Sequence, residues 1–600
     1  MAAGALEKGA VTGELLADGE PAEVSDALRL LAAHIHCLSL KDLEAAFECF
    51  LDDEQRRRHG VVYTPEFVVE YLVRNGLDLG WRKQATPPRI CDPACGCGGF
   101  LLQAAGILRD VCGLTPERAF RECLFGFDTD PGALRHARCL VELYCASRGL
   151  SLPAAGPGLF CRDTLMADPA ELQRLCGLSC GFDLVATNPP YVKFQNLEPC
   201  YRTALQTRFG KLARGNFSLA PLFLVAGYDI LAPGGCLAVI TQNNLYTSCA
   251  GEGVRRYLQE NRCLRRIIDF GHQRVFREAS AYTCLVFLGR GPSATFQYAS
   301  LENGACEDSL RNARFATVRH DGLKPRKWRL AERRHIENLE RIEKCGMPLG
   351  RMAAIRVGFA TLKDSVFLVK EVNGYCKASP WPGSEFRIET GITRRVVKVP
   401  DLGGGEGGER TSRRVIFPYR KEDGKYRPIP EEEIKRQFPE AYGYLCACRT
   451  LLERRDRGGR SYPAWYAWGR TQGMEAPGPK LLTRTFSARP RFFPDESDRL
   501  FCNGYSVSPR QAPGPWGQSS LMVLERILNS RVMHYYAKLT SFQIGGDYQC
   551  YQKNFIERFG IPVLSERGAE EMLDLSGDDL DACLLGLYGL AAADLREIPQ

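Results

Sequence analysis

RICDPACGCGGFLLQAAGIL (89–108) reads as a short apolar strand, a glycine-rich turn and a helix. ECLFGFDTDPGALRHARCLVELYCASRGL (122–150) repeats the succession of strand, acidic turn and helix. Downstream, LFCRDTLM (159–166) is a strand with an acidic end, and FDLVATNPPYV (182–192) is a strand with a polar end. FLVAGYDILAPGGCLAVITQNN (223–244) reads as helix, turn and strand, and LRRIIDFG (264–271) and AYTCLVFLG (281–289) add two strands. This alternation predicts an α/β fold built on a mostly parallel, Rossmann-like sheet with both faces covered. The polar residues gather at the strands' carboxyl ends, where such sheets bind ligands.

Working outward, GVVYTPEFVVEYLVRNGL (60–77) predicts a loop and then a helix. Thr64 is the expected N-cap, Pro65 the first helical residue and Gly76 the stop. Residues 1–58 read as a small N-terminal helical cap, with Leu28, Leu31, Ile35, Leu43 and Phe47 at helical spacing. The sheet domain is expected over 59–300. Residues 301–346 contain RNARF and KPRKWRLAERRH and are expected to be a basic linker ending in a helix over 331–345, closed by Gly346. Residues 347–600 are expected to form a second domain of α+β type, built of short strands and loops. DLGGGEGGER (401–410) is expected to be a flexible surface loop within it.

A chain of 600 residues exceeds one ordinary core. With 44% apolar and 25% charged residues the composition is globular, which argues against disorder. The apolar run from Ser218 to Ile240 is broken by Asp229 and Pro233, so no membrane span is expected, and MAAGALEKGAVTGELL lacks the pattern of a secretory signal. The 25 cysteines lie mostly in apolar runs such as GGCLAVI, which fits buried free thiols in a reducing cytoplasm. Neither Cys91/Cys95/Cys97 nor Cys446/Cys448 makes a paired set at zinc spacing, so no metal is expected. The net charge of +8 permits a polyanionic partner.

In ICDPACGCGGF an acid ends a strand, and small residues let the backbone turn tightly against a ligand before a helix begins. The spacing is neither GxGxxG nor a P-loop. Asp128 ends the second strand, where an acid can hydrogen-bond ribose hydroxyls, while Asp130 before Pro131 fits a helix cap. Asp163 ends the third strand and reads equally as an acceptor for an exocyclic amine or as a turn acid. TNPPY (187–191) is the sharpest signal: two prolines stiffen the turn, fix Asn188 and the Pro189 carbonyl as acceptors, and set Tyr191 beside them. Two fixed acceptors and one aromatic face suit a planar group bearing an NH2. Tetrahedral hydrogen bonding of that amine draws its lone pair out of conjugation and makes it nucleophilic.

In this order the motifs resemble an adenine-N6-specific DNA methyltransferase of the gamma arrangement, similar to type II and type IIG restriction-modification methyltransferases. The resemblance covers roughly residues 59–300. It implies S-adenosylmethionine (SAM) as cofactor, held by Tyr63 and Thr64 of YTPEFVV, by Asp92, Ala94, Cys95, Gly96 and Phe100 of DPACGCGGF, and by Asp128 and Asp163. Cys97 stands where the family usually has Ser. Asn188, Pro189, Pro190 and Tyr191 form the implied catalytic tetrapeptide, and Phe276 of VFREASAYTCLVFL would stack with Tyr191 about the target base. RGNFSLAPLFL resembles the region that approaches the base, and Lys193, two residues after the tetrapeptide, is an expected substrate contact. IRVGFATLKDSVFLV, YPAWYAWGRTQG and IGGDYQCYQKNFIERFGIP resemble the family's DNA specificity (target-recognition) domain, with Arg470 and Gln472 as expected contacts.

What the resemblance implies is methylation of adenine in double-stranded DNA, with the adenine flipped from the stack, in a bacterial or archaeal cytoplasm near the nucleoid. A separately encoded restriction endonuclease is the partner it allows. The roughly sixty residues before the sheet domain are too few for a fused nuclease, so cleavage is not expected. An RNA adenine or protein-glutamine methyltransferase would use the same tetrapeptide chemistry, and a DNA-binding specificity protein without catalysis is the alternative of another class. The basic, aromatic C-terminal region (Tyr462, Trp465, Tyr466, Trp468, Arg470, Lys480, Arg484) favours DNA, with some of those rings serving as core.

Overall fold

A computed structural model describes residues 64–596, apart from 82–85, 147, 151–157, 272, 274, 277–281, 302–305, 332, 404–411, 456–461, 471, 476–477, 511–515, 518, 542 and 545–547. The expected N-terminal helical cap, Tyr63 and most of the glycine-rich loop at 401–410 lie outside the described residues. The chain divides into two compact units at Arg333/Arg334.

The first unit is built on a nine-stranded sheet. Its strands are β1 (Ile90–Asp92), β2 (Leu124–Asp128), β3 (Gly158–Cys161), β4 (Phe182–Thr187), β5 (Leu231–Gln242), β6 (Leu264–Asp269), β7 (Thr283–Gly289), β8 (Thr295–Ser300) and β9 (Ala316–Arg319). They lie in the order β3-β2-β1-β4-β5-β7-β6-β8-β9. The first five pair in parallel, and β7 enters antiparallel between β5 and β6. The expected α/β class is the one observed. The strand order reverses at β1, which has β2 on one side and β4 on the other, and this is where ligand crevices form in such sheets.

Alternation along each strand sends side chains into two separate cores. In β4, Leu184 and Ala186 join one core while Val185 joins the other; Phe182, before a register irregularity at the start of the strand, sits with Val185. The first core is closed by helices Glu66–Gly80, Gly99–Cys112 and Pro131–Ala146 through residues such as Leu72, Leu101 and Leu140. The second is closed by Leu219–Asp229 and Glu252–Glu260 through Leu222 and Leu258. Strands buried on both faces need no polar alternation, which is why they read as plain apolar runs.

Three boundaries differ from the sequence reading. The first helix begins at Glu66 with Pro65 as its N-cap and no side-chain cap, and it continues through Gly76 to Gly80. Gly76 persists inside the helix because the helix lies directly on the sheet: a Cβ there would sit 2.5 Å from Leu184 Cδ1. In 301–346 the helix expected over 331–345 is present as Arg333–Lys344, whose Leu339 and Ile342 enter a core of the second unit, but the basic stretch before it supplies β9, which pairs with β8, rather than a linker alone.

The second unit is α+β, with more helix than the expected short strands and loops. A four-stranded sheet (Ala353–Val357, Gly504–Pro509, Lys480–Arg484, Phe492–Asp495) shares a core with helices Ser520–Leu528, Arg531–Thr540 and Gly577–Tyr588. A six-stranded sheet with helix Pro439–Ala447 encloses another core around Trp468. Among the described residues every cysteine is free, and no helix is long and apolar enough to cross a membrane.

Candidate active site

β1 and β4 are adjacent and in register, with Ile90 opposite Leu184 and Cys91 opposite Val185. That register carries Asp92, at the end of β1, and Asn188, just past the end of β4, to the same edge of the sheet. The turn after β1 is tied to the turn after β2 by two bonds. The Cys95 amide donates to the Phe127 carbonyl (3.0 Å), and the Gly96 amide donates to Asp128 Oδ2 (2.9 Å). Asp128 Oδ1 accepts from the Asp130 amide (2.9 Å), while Asp130 takes the helix-capping role by accepting from the Gly132 amide (2.8 Å). Gly96 holds φ +52°, and the space its missing Cβ would occupy has no atom within 4 Å. The turn is therefore an open backbone cradle, as close approach of a ligand requires.

The cradle is acidic, with one of its carboxyls buried. Asp92 is buried, its Oδ1 accepting from the Ala94 amide at 3.1 Å. Burial pushes its carboxyl up to about 7, against the pull of neighbouring donors and with help from the charge of Asp128. Burial also raises Asp128, against the amides of Asp130 and Gly96 that stabilise its anion. Cys95 and Phe100 face inward: Cys95 Sγ lies against Gly126, and Phe100 belongs to the first core. Their side chains shape the turn rather than line it. Asp163 is engaged on both oxygens, by the Leu165 amide (2.9 Å) and by the Tyr201 hydroxyl (2.8 Å). Its neighbour Thr164 donates to the Pro93 carbonyl (2.8 Å), fastening this third turn to the first.

At the end of β4, the Asn188 amide nitrogen donates to Thr64 Oγ1 at 3.0 Å. The Tyr191 hydroxyl donates to the Ile240 carbonyl (3.3 Å), which holds its ring against the end of β5. Beyond the two prolines, Lys193 makes an antiparallel bridge to Ser218 and its side chain is exposed. The Phe194 amide donates to Phe217 O and the Leu219 amide to Val192 O, so the RGNFSLAP segment flanks the tetrapeptide. Phe276 does reach Tyr191, but the rings meet edge to face, with centroids 6.4 Å apart and planes at 61°. Stacking a base between them needs parallel walls. The sandwich expected from sequence is thus not the arrangement observed, because Phe276 is packed into the first core.

Two residues absent from the sequence reading brace this edge. Asn243, just after β5, donates through Nδ2 to Asp269 Oδ1 (3.1 Å) and to Gly271 O (3.0 Å), and its amide donates to Tyr282 O (3.0 Å). Burial pushes Asp269 up to about 6 despite the bonds from Asn243 and Gly271. The signal was present in ITQNN and IIDFG, strands that both end in polar residues, but the pairing of Asn243 with Asp269 follows only from β5 and β6 flanking β7.

In the second unit Arg470 is exposed, its backbone bridged to Ala360, and Gln472 is exposed on a cleft with Arg356 and Tyr426. Trp468 is core: it is 1% exposed, stacks on Phe359 at 4.4 Å and donates to Ile416 O. Lys480 is also fully buried, donating to the Gly478 and Ser497 carbonyls beside Asp495, and so is unsuited to touching phosphates. Arg484 is half-buried and donates to Leu402 O.

Residues 122–276 match the family described as Eco57I restriction-modification methylase. The Type II restriction enzyme and methyltransferase RM.Eco57I of Escherichia coli is 22% identical over 85% of this chain, which spans only 58% of that relative. The Type II methyltransferase M.BanIII of Aneurinibacillus aneurinilyticus is 23% identical over 87% of this chain and 92% of its own length. Among solved structures, the Type IIL restriction-modification enzyme MmeI in complex with DNA superposes over 92% of this chain and 79% of its own, with a TM-score of 0.65 at 15% identity. A DrdV–DNA complex covers 92% of this chain and 61% of its own, with a TM-score of 0.53 at 13% identity. At these identities the likeness to the solved structures is one of fold.

Proposed function

We propose that this chain methylates DNA site-specifically, transferring a methyl group from SAM to the N6 amine of adenine in duplex DNA, as the modification component of a restriction-modification system. The observation that carries the reading is the meeting of Asn188-Pro189-Pro190-Tyr191 with the Asp92–Gly96 cradle at the edge shared by β1 and β4. The open space at Gly96 fits a nucleoside cofactor brought close to the backbone. Asp92, Ala94, Cys95 and Gly96 would hold SAM through the turn, Asp128 would accept from its ribose hydroxyls, and Phe100 and Asp163 would support the walls. Bound there, SAM supplies an electrophilic methyl group on a sulfonium sulfur.

The chain's own part is binding and orientation. Asn188 Oδ1 and the Pro189 carbonyl accept the two amine hydrogens of adenine, which localises the lone pair on nitrogen. Two prolines in succession keep both acceptors in place before the substrate arrives, so little reorganisation remains at the moment of reaction. Tyr191 offers its ring to the purine, and Phe276 contributes after turning from its edge-on contact. An adenine inside a duplex cannot reach this edge, so the base must be extruded. Exposed Lys193, Arg470 and Gln472 are the proposed DNA contacts. The match of residues 122–276 to a restriction-modification methylase supports this substrate class over RNA or protein. A separately encoded endonuclease and a place in the bacterial or archaeal cytoplasm belong to the same reading.

The test is incubation of the full chain with labelled SAM and duplex DNA, followed by nucleoside mass spectrometry and long-read mapping of modified positions. N6-methyladenine at one repeated motif is expected. Label entering RNA or protein but not DNA refutes the reading.

A further inference from the structure

We propose that a cleft in the second unit reads a base edge of duplex DNA, with the Arg356 guanidinium donating its two-pronged fork to a guanine. This role rests on the methyl-transfer reading above and adds to it a specificity-determining residue. The cleft encloses about 460 Å³ among residues that include Arg356, Tyr426, Gln472 and Glu475. Strand Ala353–Val357 lies at the edge of its sheet and pairs only with Gly504–Pro509. Alternation along it sends Ala353 and Ile355 into the core shared with the helices. Arg356 is thereby turned to the opposite face, where it is exposed.

The rest of the cleft is held by close packing and one ion pair. Gly473 has φ +72°, and a Cβ on it would lie 2.6 Å from Val357 O, Gly358 C and Phe359 N. The segment therefore crosses the end of the edge strand backbone against backbone, an approach and a conformation that suit glycine. Met474 is anchored in the core around Trp468, while Gln472 and Glu475 on either side of this anchor stay exposed. The far wall is a hairpin of Tyr419–Glu422 and Lys425–Pro428. Its turn, Asp423-Gly424, has positive φ at both residues (+49° and +76°), as a tight two-residue connection requires. The register sets Lys421 opposite Tyr426, and the Lys421 ammonium reaches Glu475 Oε1 at 2.5 Å.

These walls favour a base over a phosphate. Among the described residues, no hydrogen bond or ion pair engages the head groups of Arg356 and Gln472. The bond from Lys421, with the nearby charge of Arg356, holds the Glu475 carboxyl below its ordinary value, so an anion persists in the cleft. A phosphate brought to Arg356 would meet that charge. A base edge is neutral: the O6 and N7 of guanine match the guanidinium fork, and a neighbouring base can exchange both donor and acceptor with the Gln472 amide.

The experiment uses the full chain and its Arg356→Ala and Arg356→Lys variants on a duplex library carrying every base at each position of the wild-type motif, with methylation rates read by long-read mapping. Both variants are expected to lose about tenfold or more of the preference for guanine at one position, with the other positions kept. Lys retains the charge without the fork, so Arg356→Lys should keep the wild-type salt dependence of duplex binding while losing the preference. Should Arg356→Ala fail to fold, Arg356→Lys decides alone. An unchanged motif overturns the role. So does a uniform loss at all positions, the mark of a phosphate contact, or a wild-type motif without a G·C pair. These outcomes leave the proposed function standing, whereas a wild-type chain that methylates no DNA overturns that function and this role with it.

Discussion

Replacing Asp92 by Asn should make the first unit more stable at alkaline pH and nearly as stable as wild type in acid. The carboxyl has an ordinary value of 3.8 and is pushed to about 7 in the folded protein, chiefly by burial between β2 and β4. A folded-state value above the unfolded one means that the native protein keeps a proton that the unfolded chain has released. The stabilisation from that proton is complete below pH 3.8 and is lost as pH rises to about 7. At about 1.4 kcal/mol per pH unit, the loss by pH 8 is on the order of 4 kcal/mol. Asn is neutral at every pH and keeps an oxygen for the Ala94 amide. The variant should therefore gain on wild type steadily from pH 4.5 to pH 8, by up to about 4 kcal/mol.

Urea unfolding of both full chains at several pH values measures this, with hydrogen exchange of the β1 and β4 amides reporting the first unit. Asp269, raised in the same direction to about 6, gives both proteins a shared slope, so only the difference between them reports Asp92. A difference that stays flat with pH, or widens toward acid, would refute the reasoning.

Asn188→Ala should cut methyl transfer by about 10²–10³-fold with cofactor affinity intact, since its bond matters most as the amine reacts; isothermal titration together with turnover decides, and parallel losses in both would argue against the assignment. The Arg255 guanidinium is fully buried and donates to the carbonyls of Leu245, Ser248, Pro325 and Arg326, and Arg255→Leu should cost about 3 kcal/mol in urea unfolding by leaving those oxygens without donors. A shift of under about 0.5 kcal/mol would mean that they find other partners. Arg470→Ala should weaken duplex binding by about tenfold if it contacts a base, or flatten the salt dependence by about one charge if it contacts phosphate. Lys480→Met should do neither, and fluorescence anisotropy at several salt concentrations separates the two residues.

The alternation of apolar strands and helices over 89–289 was enough to read an α/β sheet and the polar character of its carboxyl edge, because period and burial are local properties of sequence. The stiffness of NPPY and the tight turn at DPACGCGG were equally local. What composition and spacing could not supply was which strand ends share an edge. Asp92 and Asn188 become neighbours only because β4 pairs with β1 across the reversal of strand order. The same limit explains why Thr64 read as a helix cap. Its hydroxyl is free for Asn188 only once two glycines, 76 and 80, seat the helix on the sheet. Lys480 read as a surface base because a buried lysine looks like any other until its hairpin folds around it. Local chemistry is written along the chain, whereas the meeting of distant residues is decided by strand order and packing, which depend on the free energy of the whole fold.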